Sequence, residues 1–332
     1  MNEFLQDRAP LLSLLLITYN QQDTVRDALA AALSQTYQPL EIVVSDDAST
    51  DGSFEIMRRL LSDYDGPHKV ILHRNETNQG IGANISTAVK LSSGELLVIA
   101  AGDDVSVPQR CQRMAEVWLA SGCKLDLIAS NLADMDVDGS LLGVMAPSDL
   151  SAYRSPSDWL AGRPYVIGAA QCWTRRLFDH FGPLPRGVVA EDLIMVFRAI
   201  CLGGGASVPE PLVKYRRGGL SRRVRSYSAQ DTIRRLLSNN RHALVEVDLL
   251  KRDAQKAGCA PLMRAWLDAE WALAVYIRDL FGASGRLSKV GIALRAGGVP
   301  YLKRLRLLAY AAVPELLAPW FWLKRMSAGK SR

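Results

Sequence analysis

Apolar and polar positions fall into repeating blocks over the first 130 residues. Leu11–Ile17 is a largely apolar run of seven, followed by the polar Thr18-Tyr19-Asn20. A short run of this kind reads as a buried strand. Thr24–Gln35 then places Val25, Leu29, Ala32 and Leu33 on one helical face. Pro39 breaks the chain, and Leu40–Ser45 gives a second strand ending in Asp46-Asp47. Ser53–Leu61 reads as a helix, Lys69–Arg74 as a strand and Gly82–Leu91 as a helix. Glu95–Ala101 is a fourth strand, ending at Gly102-Asp103-Asp104. Pro108–Ala120 opens with proline at an early helical position, and Leu125–Asn131 is a fifth strand. This repetition predicts an α/β fold with a mostly parallel, doubly wound sheet. Such sheets bind ligands at the carboxyl ends of their strands. The polar clusters after strands one, two and four fall there.

The later pattern is less regular. Val137–Gly143 reads as a turn around Asp138-Gly139, and residues 151–190 are rich in Pro and Gly. Ala190–Leu202 reads as a helix opening with Glu191-Asp192, and Val208–Arg217 holds a short strand. From Tyr227 to about Phe281 the pattern is helical, with Ile233, Leu236, Leu244 and Val247 among its apolar positions. Gly282–Gly285 interrupts it.

Composition narrows the class. Hydrophobic residues make up 48% and charged residues 22% of the 332, which excludes a disordered chain, a collagen and a disulfide miniprotein. The five cysteines lie far apart with no CxxC pair, as expected in a reducing compartment. The four histidines lack the spacing of a zinc site. The net charge of +6 hides an asymmetry. Residues 1–150 carry 10 Lys/Arg against 21 Asp/Glu, and residues 151–332 carry 30 against 13. A basic surface of this kind meets something anionic: phosphate, lipid or nucleic acid. No nucleic-acid-binding motif accompanies it. Leu11–Ile17 is too short for a secretory h-region. Leu307–Leu323 holds Pro314, Glu315 and Pro319, so it reads as interfacial or buried rather than spanning.

The acids at the strand ends carry the candidate chemistry. Adjacent carboxylates on a loop suit a hard divalent ion such as Mn2+ or Mg2+, which bridges to substrate phosphates. Asp103-Asp104 fits that role, and a solvated loop or a cap for the following helix is the plainer alternative. The Asp46–Asp51 loop suits a base and ribose, or simply a helix cap by Asp51 or Ser49. Asn78-Gln79-Gly80-Ile81-Gly82 supplies glycines before a helix, where a phosphate or ribose fits. Glu191-Asp192 is favoured in a first helical turn by the dipole alone, yet a carboxylate there also suits a general base.

Together these pieces resemble glycosyltransferase family 2. The resemblance rests on Ile17-Thr18-Tyr19-Asn20, Leu33-Ser34-Gln35-Thr36-Tyr37, Glu41–Asp51, Asn78-Gln79-Gly80, the Gly94-Glu95 approach to Asp103-Asp104, and Glu191-Asp192 followed by Tyr215-Arg216. It covers roughly residues 11–220. It implies the GT-A fold over residues 1–220, with a nucleotide-sugar-binding half at about 11–131 and an acceptor half at 132–220. A helical C-terminal region over 221–332 follows. It also implies roles. Thr18, Tyr19 and Asn20 line the nucleotide pocket, and Asn78 and Gly80 border it. Asp47 accepts from a uracil or thymine imide, with Asp51 supporting that loop. Asp103 faces the ribose or sugar, Asp104 binds the metal, and Asp192 is the base with Glu191 beside it. The donor is a UDP- or dTDP-sugar and the acceptor a glycan, commonly linked to polyprenyl diphosphate. The family implies inversion. One departure stands out: many members carry a histidine soon after the Tyr-Arg pair, and Tyr215-Arg216-Arg217-Gly218-Gly219-Leu220-Ser221 has none. Arg216, Arg217 or Arg222 then neutralises the diphosphate.

The basic tail mixes Leu302, Leu305, Leu307, Leu308 and Trp320–Leu323 with Lys303, Arg304, Arg306, Lys324 and Arg325. Such a mixture suits an anionic bilayer interface, and so predicts a cytoplasmic protein, peripheral on the inner face of the membrane. A helix packed on the catalytic domain, or a homo-oligomer contact, would use the same residues. Two other functions compete. A nucleotidyltransferase needs a Gly-rich phosphate loop near the N-terminus, and Tyr19-Asn20-Gln21-Gln22 is not one. A non-catalytic partner protein would be expected to lack Asp104 or Asp192, and both are present.

Overall fold

The computed structural model describes residues 9–218 and 228–317. Arg222 and the tail residues Trp320–Arg325, named above, lie outside the described residues. The chain divides into two compact units, residues 1–222 and 223–332.

In the first unit, β1 (Leu12–Thr18), β2 (Leu40–Asp46), β3 (Lys69–Arg74) and β4 (Leu96–Ala101) run parallel in the order β3-β2-β1-β4. Helices α1 (Val25–Leu33), α2 (Ser53–Ser62) and α3 (Ile81–Leu91) connect them. Every residue of β1 and β2 is buried. A strand covered on both faces needs apolar residues at consecutive positions, which explains the continuous runs. Leu14, Leu16, Ile42, Val44 and Val98 share one core with Leu29, Met57 and Met114. The polar exceptions are paired: Ser13 Oγ donates to Glu41 Oε1 at 2.7 Å, and Gly94 N donates to the same carboxylate.

Beyond β4 the sheet changes character. The chain forms β5 (Val105–Ser106), α4 (Arg110–Ala120), β6 (Leu127–Met135), β7 (Leu141–Met145), α5 (Pro156–Ala161), β8 (Gln171–Thr174), α6 (Arg175–Phe181), α7 (Glu191–Cys201) and β9 (Ala206–Arg216). The sheet order is β3-β2-β1-β4-β8-β6-β9-β5, with β7 on β6. The strand expected fifth, now β6, does not extend the parallel series beside β4. Strand β8 takes that place, antiparallel to both β4 and β6. The expected turn at Val137–Gly143 is tighter: Gly139 N bonds Asp136 O, and the chain then opens into β7, a hairpin partner of β6.

The second unit is helical. The long pattern from Tyr227 resolves into α8 (Ala229–Lys256) and α9 (Ala260–Gly282), broken at Gly258-Cys259. Helices α10 (Arg286–Arg295) and α11 (Tyr301–Ala312) follow. Its core holds Tyr276, Ile277, Leu280, Ala293, Val299 and Leu307. No described helix is long and apolar enough to cross a membrane.

Candidate active site

The loops leaving β1 and β2 are stitched together. Asn20, at φ 50°, donates its backbone N–H to Ser49 Oγ (2.9 Å) and accepts from Thr50 N (2.8 Å). Gln22 N donates to Asp51 Oδ2 (3.1 Å), and Ser53 N donates to Asp51 Oδ1 (3.0 Å). Burial opposes ionisation of Asp51, but these bonds, with one from Ser53 Oγ, outweigh it and hold its pKa below the ordinary 3.8. Gly52 precedes α2 and has no side chain to cap it, so Asp51 takes the first amide of the helix, Ser53 N, while also joining the two loops through Gln22 N. Thr18 is buried, its hydroxyl against Asp46, while Tyr19 is exposed at the rim.

Asp47 organises the next loop. Its Oδ1 accepts from Asn75 Nδ2 and Gln79 N, and its Oδ2 from Gly80 N, all at 2.8 Å. One buried carboxylate thus shapes the approach to α3. Asn78 is exposed, and its carbonyl accepts from Arg186 (3.2 Å).

Asp103 and Asp104 follow β4 directly. Gly102 permits this arrangement: a Cβ there would stand 2.8 Å from Thr18 Cγ2 and 2.4 Å from Gln21 Oε1. Asp104 does not cap α4, whose cap is Gln109. It is buried and accepts from Arg216 N at 2.8 Å. Burial raises the Asp104 pKa well above the ordinary range, and the neighbouring Asp103 charge raises it further. Burial raises Asp103 too. A carboxyl pair that resists ionisation in isolation favours a cation. Two adjacent carboxyls are also the kind of oxygen donors that a hard divalent ion takes. Among the described residues no group of three or more His, Cys, Asp or Glu could hold a metal.

The two arginines proposed for the diphosphate have different surroundings. The Arg216 side chain donates to Asp103 O (3.2 Å) and reaches Asp27 at 3.5 Å. Arg217 instead grips Asp134 on β6 through its Nε, at 2.9 and 3.1 Å from the two oxygens.

The second acid pair opens α7. Asp192 Oδ1 accepts from Leu193 N (2.7 Å), the usual benefit of a carboxylate at a helix start. Gln171, fully buried on β8, donates to Asp192 O (3.3 Å) and accepts from Trp173 Nε1 (2.7 Å), anchoring this end of the helix to the sheet. Gly168 lies against both acids: a Cβ there would stand 3.0 Å from Glu191 Oε1 and 3.3 Å from Asp192 Cβ. The segment leading into α7 also rests on the start of α3, through Gly82 N to Val188 O and Ser86 Oγ to Leu184 O.

Arg110 ties β4 to the segment that holds Gly168. It is fully buried, and one terminal nitrogen donates to Ile99 O on β4 (2.8 Å) and Ala169 O beside Gly168 (2.6 Å). Its other terminal nitrogen donates to Ser106 Oγ (3.0 Å), and its charge acts on Asp104. The carboxyl end of β4 therefore has Asp103-Asp104 on one side and the Gly168–Asp192 contact on the other.

Residues 13–130 match the family model described as glycosyl transferase family 2. Over that stretch the chain is similar to glycosyltransferase family 2. It is 25% identical over 229 residues to EpsE of Bacillus subtilis (strain 168), which is named a glycosyltransferase; the match covers 68% of this chain and 80% of EpsE. It is 27% identical over 243 residues to the succinoglycan biosynthesis protein ExoO of Rhizobium meliloti (strain 1021), covering 68% and 66%. A solved mannosyltransferase from Pyrobaculum calidifontis, PcManGT in complex with GDP-Man and Mn2+, shares the fold at TM-score 0.51 and 19% identity, covering 95% of this chain and 88% of that one. The first unit is the GT-A fold of these enzymes.

The structural parts played by three residues around the site are not apparent from the sequence. Arg110 sits in a helical pattern with nothing to mark its burial. Asp46, fully buried, takes Ser49 N (2.9 Å) and lies 3.5 Å from Arg74 Nε. Gln35, within a motif quoted for the resemblance, donates to Val107 O (2.9 Å) and accepts from Cys111 N (3.0 Å), tying α1 to α4. The signal for Gln35 and Asp46 was there: polar residues inside apolar blocks need buried partners.

Proposed function

We propose that this glycosyltransferase moves a sugar from a nucleoside-diphosphate donor to a hydroxyl acceptor with inversion, during assembly of a bacterial polysaccharide. The observation that carries the reading is the adjacent acid pair Asp103-Asp104 directly after β4, with Asp104 buried and bonded to Arg216 N. The stitched loops of Thr18–Asn20 and Asp46–Asp51 form the base and ribose side, with Tyr19 at the rim. Asp103 and Asp104 would hold Mn2+ or Mg2+, and the ion, when bound, would supply positive charge beside the departing diphosphate. Arg216, without the usual histidine, adds positive charge beside them. Asp192 takes the proton from the acceptor hydroxyl as that oxygen attacks the anomeric carbon. Such a base contributes about 10²–10⁴-fold. Glu191, buried beside it, supports its position.

PcManGT's complex with GDP-Man and Mn2+ supports a metal-assisted nucleotide-sugar donor. ExoO's name supports a role in polysaccharide synthesis. The donor is UDP- or dTDP-linked in this reading, with Asp47 and its loop beside the base, and the acceptor is a lipid-linked glycan.

The test is release of nucleoside diphosphate from a panel of nucleotide sugars, with Mn2+ and then with chelator. Slow metal-dependent release from one donor, absent in Asp104→Ala, is expected. Release that persists in chelator and in Asp104→Ala would contradict the reading.

A further inference from the structure

Helices α10 and α11 lie antiparallel. Arg286 Nε donates to Ala312 O, Lys289 Nζ to Ala311 O, and Arg304 to Ala293 O. One face of the pair is accounted for: Ala293, Val299 and Leu307 pack on Tyr276, Ile277 and Leu280. Ile292, Leu308 and Ala311 pack partly against the same cluster, but a second set of apolar residues stands in water. Leu287 is 89% exposed, Leu294 75% and Leu302 80%, and Val290, Tyr301 and Leu305 are exposed with them. Soluble proteins rarely leave such a concentration of large apolar groups in solvent without a partner. Leu287, Val290 and Leu294 recur at three and four residues, so they share one face of α10. The two helices carry Arg286, Lys289, Arg295, Lys303, Arg304 and Arg306 and no acid.

We propose that the exposed face of the α10–α11 pair docks onto an anionic lipid bilayer, leucines in the acyl boundary and basic groups among the headgroups. Charge selects this occupant. A second copy of the same face would set basic groups against basic groups. A nucleic acid would satisfy the charge and leave the leucines in water. A bilayer of anionic lipid satisfies both. Neither helix is long enough to span, so the contact is interfacial. The proposal adds a partner to the transferase reading, and its test needs no sugar transfer, so either can fail alone.

The test is co-sedimentation of the full chain with phosphatidylglycerol–phosphatidylcholine vesicles, beside pure phosphatidylcholine vesicles. Two variants are compared with wild type: Leu287→Ser/Leu294→Ser/Leu302→Ser and Lys303→Glu/Arg306→Glu. Circular dichroism and Tm report whether each is folded. Wild type should pellet with the anionic vesicles, less so as salt rises, and each variant should partition about tenfold less or weaker still. Equal binding to both vesicle types, or folded variants that bind like wild type, would overturn the proposal. So would an absence of vesicle binding together with a wild-type dimer, seen by light scattering, that the serine variant splits.

Discussion

In the first unit Asp46, Asp104, Arg110 and Glu191 are charged side chains buried at strand and helix ends. In the second, Leu287, Leu294 and Leu302 are apolar side chains left in water beside basic ones. The first pattern fixes individual atoms. Such groups are held by particular partners, as the carbonyls of Ile99 and Ala169 hold Arg110. The second pattern offers a surface whose worth is a sum over many equivalent groups. Changes in the first unit should therefore act residue by residue and steeply. Changes in the second should act gradually and roughly additively.

The largest effect should come from the base. Asp192→Asn keeps the shape and the helix-start bond while removing proton acceptance. Turnover should fall up to about 10⁴-fold, with nucleotide affinity unchanged by calorimetry. A fall shared equally by affinity would recast Asp192 as a binding group.

Arg110→Lys comes next. A lysine keeps the charge near Asp104 but cannot span the carbonyls of Ile99 and Ala169 together with Ser106. Denaturant unfolding should show a loss of about 2–4 kcal/mol, since buried acceptors go unsatisfied. At a temperature where the variant is folded, kcat should still fall, because β4 and the Gly168 segment are no longer clamped. A stability loss with unchanged kcat would make Arg110 a purely structural group.

Asp51→Asn should be the mildest. The carboxyl of Asp51 titrates below its ordinary value, so its stabilising contribution is present above pH 3.8 and is lost as pH falls through the folded value. At neutral pH the variant's Tm should drop by about 2–5 °C. The gap should close as the pH is taken below 3.8. A gap constant with pH would mean that the Asp51 charge is not what joins the two loops.

Much of the first unit was legible in the sequence for a physical reason. Strands buried on both faces are mostly apolar at consecutive positions, so β1, β2 and β4 stood out, and topology then put Asp47 and Asp103-Asp104 at one edge. Strand β8 did not. It is Gln171–Thr174, four residues with no alternation, and its place between β4 and β6 depends on pairing across distant segments. Arg110 was equally hidden, because a helix presents arginine to water far more often than to carbonyls. Asp104 was legible as a candidate ligand, but its bond to Arg216 N spans 112 residues and belongs to the fold alone. In the second unit composition revealed the basic, apolar character of α10 and α11. Only the packing of Leu307 and Ala293 separated their buried face from the exposed one.

The central claim is that the acid pair after β4 holds a metal against a nucleoside diphosphate. Calorimetric titration of uridine diphosphate into the protein, with Mn2+ and then with chelator, tests it directly, wild type beside Asp104→Asn. The account predicts binding that requires Mn2+ in the wild type and is weakened about 10²-fold or more in the variant. Binding of equal strength with and without Mn2+, unchanged in Asp104→Asn, would contradict it.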